Sequence, residues 1–442
     1  MKKVAVAVAG MFMAIVLSQC SSNPAISEEE QSTPFQTRGA EGVSREPNPQ
    51  VPSEDRDALV GGNIQFAFDM YNQLASISEN EGKNLLFSPY SISIALAMTL
   101  AGAEGETETQ IRDAMRFALQ EPDLHRAFNQ LDMDMETAAA NQENLTLSVA
   151  NSFWGQYDKE FEPSFLEVMA RNYGAGLNLL DFAGSPDNSR MTINTWVEGQ
   201  TNNRIKNLLP PGSITLSTRL VITNAVYFLA DWLKTFDPQL TEEKTFYREN
   251  GETVQAPLMS LSGSDENAHV IAAVTGKSKA VQLPYVGNRF AMLAVMPREG
   301  TLAAYEQEFD SEELQAVVEN LDSTEMTVVL PRFTFGTQSF SLTEALGKMG
   351  MSIPFSPGAD FSGIDGPSSQ LFISNIIHKA FIAVDEQGTE AAAATAVMMT
   401  DCAVDYNLQF VANRPFIYLI RDCHTGAILF MGRVMDPMDE GQ

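Results

Sequence analysis

The chain has 442 residues, of which 44% are hydrophobic and 19% are charged, a composition typical of a globular protein with a large core. Asp and Glu number 57 against 28 Lys and Arg, which gives a formal net charge of −29. A surface this acidic is repelled by phosphate backbones, so we expect no nucleic-acid partner.

The first 19 residues have the pattern of an export signal. Lys2 and Lys3 precede an apolar run over 4–17, which is too short to be a stable membrane span. The sequence 17–20 (LSQC) resembles a bacterial lipoprotein box, although a small residue is usual where Gln19 stands. Lipidation of Cys20 would anchor an exported protein to the cell envelope, where it would be surface-exposed or extracellular. The alternative is ordinary secretion with an incidental cysteine.

Residues 20–56 are rich in Ser, Pro, Glu, Gln and Gly and hold few apolar residues. Such a composition favours a flexible acidic tether, with a mean span of roughly 35 Å as a coil.

Residues 57–442 alternate between helical and strand-like patterns without an internal repeat, which predicts one α+β domain. We expect an apolar piece at 84–89 and a helix over 90–103 that is apolar nearly all round and therefore buried. Further helices are predicted over 64–74, 163–172, 188–203 and 341–349. Strands are predicted over 146–156, 218–228, 280–285, 290–296, 327–330, 333–335 and 371–384, with a final hairpin of 416–420 and 427–431.

His378 lies on the apolar face of the strand over 371–384, in register with Ile376, Ala380, Ile382 and Val384. A buried histidine needs partners for its ring nitrogens. We therefore interpret it as a hydrogen-bonded core residue and not as a catalytic base.

Motifs of enzymes and metal sites are missing from the sequence. It has four histidines and three cysteines, with no HExxH, GxSxG or CxxC pattern. We expect no enzyme activity, no cofactor and no metal. A disulfide between Cys402 and Cys423 is conceivable in an oxidising compartment, but the sequence does not place the two residues within bonding range.

The segment 386–400 (EQGTEAAAATAVMMT) combines a helix-forming alanine run with a strand-like alternation. An Ala-rich surface helix is one interpretation. The other is a strand that can enter a sheet, because the alternate residues of one face are all small or apolar and uncharged. These are Thr389, Ala391, Ala393, Thr395, Val397 and Met399, a run of about 12 residues and roughly 40 Å. Glu390 falls on the opposite face, and Gly388 is expected to give the backbone freedom at a hinge.

Six segments together resemble the serpins, and they occur in that family's order. They are 84–111 (NLLFSPYSISIALAMTLAGAEGETETQI), 223–228 (TNAVYF), 377–380 (IHKA), 385–394 (DEQGTEAAAA), 410–420 (FVANRPFIYLI) and 426–437 (GAILFMGRVMDP). The resemblance covers essentially all of 57–442 and implies the serpin fold, a multi-helix domain with three β-sheets and an exposed reactive-centre loop.

The resemblance also implies a function as a suicide substrate. A protease cleaves the exposed loop, and the freed loop inserts into the main sheet and traps the acyl-enzyme. Serpin hinge positions correspond here to Glu386, Gly388, Thr389, Ala391, Ala393 and Thr395. The bond cut by the protease would be Cys402–Ala403, with Met399–Thr400 and Thr400–Asp401 as alternatives. The target would be an elastase-, chymotrypsin- or subtilisin-like serine protease or a cysteine protease.

Structural support positions follow from the same resemblance. Ser88, Ser91, Asn224 and His378 match the polar cluster beneath the opening sheet, called the shutter, and Trp232 matches a residue near the point where the loop enters. We expect a monomer whose partners are target proteases and, through Cys20, a membrane. A non-inhibitory serpin with a binding or chaperone role is the alternative.

Overall fold

A computed structural model describes residues 35–261, 269–389 and 409–440. Its helices are α1 (Ser53–Ala75), α2 (Pro89–Leu100), α3 (Gly105–Ala114), α4 (Asp123–Ala140), α5 (Pro163–Tyr173), α6 (Pro186–Gln200), α7 (Leu302–Glu306), α8 (Ser311–Glu319), α9 (Thr343–Lys348) and α10 (Ser362–Asp365). No helix in these ranges is both long and apolar enough to cross a membrane.

The strands in chain order are β1 (Gln36–Arg38), β2 (Leu85–Phe87), β3 (Leu145–Val149), β4 (Ser152–Gln156), β5 (Leu177–Leu180), β6 (Leu220–Asp231), β7 (Glu242–Tyr247), β8 (Thr253–Leu261), β9 (His269–Val274), β10 (Ser278–Pro284), β11 (Phe290–Pro297), β12 (Asp322–Glu325), β13 (Thr327–Pro331), β14 (Phe333–Gly336), β15 (Phe340–Ser341), β16 (Ile376–Val384), β17 (Gly388–Thr389), β18 (Gln409–Val411), β19 (Phe416–Asp422) and β20 (Ile428–Val434).

These strands form three sheets. The large sheet has the order β1-β5-β4-β6-β17-β16-β14, with β3 also on β6, β15 on β16, and a direct pairing of β6 with β16. The second sheet has the order β12-β9-β10-β11-β19-β20-β2, and the third has the order β18-β13-β8-β7. The predicted α+β fold with three sheets is confirmed.

The core lies between the large sheet, the second sheet and the helices α1 and α2. All twelve residues of α2 are buried, as its continuous apolar pattern predicts. The helix begins where Pro89 fixes its first turn and the side chain of Ser88 accepts a hydrogen bond from the Ser91 N–H. The predicted C-terminal hairpin is present as the antiparallel pair β19 and β20.

The end of the predicted tether differs from the expectation. Residues 35–56 fold onto the domain: β1 pairs with β5, and α1 already begins at Ser53. Low hydrophobicity did not prevent this, because the segment is held by backbone pairing and by ion pairs of Arg45. Residues 20–34 lie outside the described residues.

The predicted strand over 146–156 is two strands, both paired with β6. The break falls at Ala150 and Asn151, which the two registers leave out. Such an irregularity redirects a side chain, and here it turns Asn151 towards helix α2.

Candidate functional site

Strands β6 and β16 flank the point where a further strand can enter the large sheet. At one end, β17 lies between them, with Thr389 opposite both Ala230 of β6 and Val384 of β16. Further along, β6 and β16 pair directly and in parallel, from Ile222 to Val226 and from Ile376 to Ala380. Full insertion therefore requires the direct pairing to break and the two strands to separate.

Gly388 is needed at this point because of space. A Cβ atom on it would lie 2.1 Å from the carbonyl oxygen of Ala230 and 2.8 Å from the Cα of Asp231. Its φ is not in the left-handed region. The close approach of two backbones explains the glycine here, whereas the expectation was backbone freedom at a hinge.

Thr389 is almost completely buried, with 1% of its surface exposed. Its hydroxyl lies 2.7 Å from that of Tyr285, and the ring of Tyr285 stacks on Trp232 at 4.6 Å between centroids. Burial raises the pKa of Tyr285, so the phenol stays protonated. Thr389 thus occupies the inward face that the alternation predicts for it.

Trp232 holds the chain that leads into the loop. Its indole N–H donates to the carbonyl of Asp385 at 2.9 Å, and its backbone N–H donates to the carbonyl of Gln387 at 2.8 Å. The Asp385 carboxylate accepts from the N–H groups of Gln387 and Gly388 and so fixes a tight turn. Trp232 is therefore bonded to the base of the loop, and none of these bonds involves the serine, asparagine and histidine cluster.

The carboxylate of Glu386 is buried and hydrogen-bonded to two side chains. It accepts from Arg332 at 2.5 Å and from the Thr241 hydroxyl at 2.6 Å. Burial alone would raise the pKa of Glu386, but the hydrogen bonds from Arg332 and Thr241 outweigh it and lower the pKa. The residue is therefore ionised at neutral pH and joins the loop base to the elements on either side.

His378 lies opposite Asn224 in the direct pairing of β6 and β16. Its Nε2 accepts from the Ser88 N–H at 3.2 Å, so the ring proton is on Nδ1 and is donated to Asn224 Oδ1 at 2.5 Å. Burial lowers the pKa of His378 to about 3. A neutral histidine with both nitrogens occupied fits a structural role.

Asn151 completes this cluster, although the sequence pattern did not reveal it. Asn224 Nδ2 donates to Ser91 Oγ at 2.7 Å and to Asn151 Oδ1 at 2.9 Å. Asn151 in turn donates to the Ser91 carbonyl at 3.0 Å. Ser91, in helix α2, is therefore hydrogen-bonded to β6 and to the break between β3 and β4. One sequence signal could have revealed the break at Asn151: the pattern over 146–156 does not keep a strict period of two at this residue.

The bond expected to be cut and half of the six hinge positions lie outside the described residues. These positions are Ala391, Ala393, Thr395, Met399, Thr400, Asp401, Cys402 and Ala403, together with Cys20, the residue expected to carry a lipid. The thiol of Cys423 is half-buried, and burial raises its pKa.

The sequence profile described as Serpin (serine protease inhibitor) matches residues 61–437. This chain belongs to the serpin family. An uncharacterized serpin-like protein of Methanosarcina mazei is 34% identical over 443 residues, which cover 99% of both chains. Leukocyte elastase inhibitor A of Rattus norvegicus is 36% identical and covers 86% of this chain and 100% of its own.

A solved structure shares the fold. The crystal structure of tengpin, a thermophilic serpin, in its native state is 27% identical, with a TM-score of 0.77, and covers 91% of this chain and 100% of its own. The serpin fold is therefore shown by both sequence and structure, and family membership indicates a protease inhibitor and not an enzyme.

Proposed function

We propose that this serpin inhibits its target as a suicide substrate, by inserting its cleaved loop between β6 and β16. The observation that carries the proposal is Thr389, which is buried between these strands at the start of a run whose inward face holds no charge. Each further inward residue would replace part of the direct pairing with two new ladders of hydrogen bonds. Insertion would thus draw an acylated protease along with the loop.

The composition of the loop suggests which proteases can attack it. No Lys or Arg occurs from 387 to 412, so proteases that require a cation before the cut bond are poor candidates. We propose Cys402–Ala403 as the bond that is cut, with Met399–Thr400 and Thr400–Asp401 as alternatives. Elastase-, chymotrypsin- and subtilisin-like serine proteases and cysteine proteases are the candidate targets. The elastase inhibitor among the relatives supports the first of these.

The test is incubation with a panel of these proteases, followed by denaturing gels. We expect a complex that survives SDS and the release of a C-terminal fragment, whose mass identifies the bond that is cut. Cleavage by every protease without any stable complex would contradict inhibition and favour the non-inhibitory alternative, a binding or chaperone role.

We further propose that the protein is exported and anchored to the cell envelope through a lipid on Cys20. In an expressing bacterium, the wild type should fractionate with membranes and the Cys20→Ala variant should not. A wild-type protein found only in the soluble fraction would contradict the anchor.

A further inference from the structure

The segment 35–46, here called the strap, joins the outer edge of the large sheet to the helices beneath it. At its first end, β1 adds to β5, and the Thr37 hydroxyl donates to Asn178 at 2.8 Å. At its other end, the Arg45 guanidinium donates to Asn129, Asp132 and Glu136.

The Arg45 end is a built contact and not a chance surface pair. Each of its three nitrogens donates a hydrogen bond to a side-chain oxygen of α4, with donor–acceptor distances of 2.7 Å for Asn129, 2.7 Å for Asp132 and 3.1 Å for Glu136. The next residue is also held, since the Glu46 carbonyl accepts from Asn129 and its N–H donates to the Arg171 carbonyl of α5. An arginine that is hydrogen-bonded to several partners contributes more to stability than an isolated exposed ion pair does.

Two glycines of the domain leave room for the strap. A Cβ on Gly176, just before β5, would lie 2.7 Å from Thr37 Cγ2 and 3.1 Å from the Arg38 carbonyl oxygen. A Cβ on Gly174 would lie 3.2 Å from Arg45 Cδ. The surface beneath the strap therefore fits it closely at both ends.

Opening of the sheet displaces one end of the strap relative to the other. A strand that enters between β6 and β16 widens the sheet by about 4.8 Å, the spacing of neighbouring strands. Strands β3, β4 and β5, and β1 with them, lie on the β6 side of the opening. Helix α4, which holds Arg45, packs on α1 and α2 and also on β3, and the bond between Asp132 and Tyr90 joins it to α2. If α4 stays with α1 and α2 while β5 moves with β6, hydrogen bonds of about 3 Å cannot survive the shift at both ends of the strap.

The strap also shares a residue with the helix that carries the shutter. Asp132 receives Arg45 on one oxygen and the Tyr90 hydroxyl on the other, at 3.1 Å. Tyr90 is adjacent in α2 to Ser91, which is bonded to Asn151 and Asn224. The Arg45 end of the strap is thus joined through Asp132 to α2, one of the helices that the sheet would have to move across.

We propose that the strap resists separation of β6 from β16, so that Arg45 and Gly176, both outside the reactive loop, set the rate at which the sheet opens. This inference rests on the proposed insertion of the loop. It makes Arg45 a positioning residue for insertion and leaves the choice of protease to the loop.

The experiment measures how fast the uncleaved protein takes up a synthetic peptide copying residues 388–399 (GTEAAAATAVMM). Uptake needs an open sheet but no protease, and a shift on native gels gives its initial rate. Arg45→Met keeps the aliphatic stem and removes the three hydrogen bonds, and we expect uptake to be faster by on the order of tenfold. The matched control Arg38→Met loses one exposed hydrogen bond to the Lys159 carbonyl and should stay within about twofold of the wild type.

A second variant changes a residue of the domain that packs against the strap. Gly176→Ala should push β1 off β5 and accelerate uptake to a similar extent, while Gly199→Ala, whose added Cβ meets nothing within 4 Å, should not. If both Arg45→Met and Gly176→Ala took up the peptide at the wild-type rate and had native circular dichroism, the proposed role of the strap would be overturned. Only the ratio of variant to wild-type rates is compared, so the result is independent of whether any protease forms a complex. No uptake by any variant or by the wild type would overturn the opening of the sheet and the strap with it.

Discussion

One side-chain hydrogen bond, between His378 and Asn224, adds to the backbone pairing of the two strands that loop insertion would separate. The bond is short and buried and is donated by the Nδ1–H of a neutral ring. Protonation at Nε2 would break the hydrogen bond from the Ser88 N–H and bury a charge, so the closed sheet is most stable while the ring stays unprotonated. The sequence predicted the buried, bonded histidine from the alternation of its strand. It did not predict Asn151, because that residue reaches the cluster through a break in a strand that only a lapse in the period of two marks.

Acid should weaken the protein through this histidine. The folded pKa of about 3 lies below the ordinary 6.5 of the unfolded chain, so the unfolded state binds one more proton between these values. Stability is therefore fully present above pH 6.5 and falls towards pH 3, by up to about 1.4 kcal/mol per pH unit from this group. Urea unfolding from pH 7 to pH 4 should show a smaller loss in His378→Gln than in the wild type. Equal slopes would contradict the assignment.

Gly388→Ala should expel the loop base from the sheet, because its methyl group would meet the Ala230 carbonyl oxygen at 2.1 Å. We expect a loss of about 1–3 kcal/mol in the free energy of unfolding and faster hydrogen exchange at the Thr389 amide. Gly347→Ala is the control, since nothing lies within 4 Å of its added Cβ. Protection of Thr389 unchanged in Gly388→Ala would show that the close approach is not required.

Among the elements, regular ones were the most predictable. The alternation of β16, the all-round apolar pattern of α2 and the C-terminal hairpin all follow from their periodicity. The strap was placed in a flexible tether, because three exposed strand residues and one arginine leave no hydrophobic pattern. Its order depends on partners more than 80 positions away, which a local pattern does not contain.

At the scale of the loop strand, the two faces should respond differently to charge. Thr389→Arg would bury an unpaired cation beside Tyr285, so the yield of covalent complex should fall by roughly tenfold while cleavage continues. Glu390→Arg, on the opposite face by the period of two, should retain most of the yield. Thr395→Arg, further along the inward face, should behave like Thr389→Arg. Complex yields that are equal in all three variants would refute the register.

For the molecule as a whole, cleavage of the loop should increase stability. The inserted strand would complete the hydrogen bonding of both β6 and β16 and bury the inward residues. We expect the midpoint of thermal unfolding to rise by about 10 °C or more, since each kcal/mol shifts a large domain by roughly 2–4 °C. Calorimetry before and after limited digestion measures it. An unchanged or lower midpoint would contradict insertion.

The packing of residues 35–56 on the domain bears on how far this serpin could act from a surface to which Cys20 anchored it. With the proposed lipid on Cys20, only sixteen residue steps separate that residue from Gln36, the first residue of β1, a contour of at most about 58 Å. A tether running to residue 56 would have allowed more than twice that length. If that anchor is present, the edge of the large sheet could lie no further from the membrane than this contour, so the protein would meet proteases close to the surface and not those in the bulk medium.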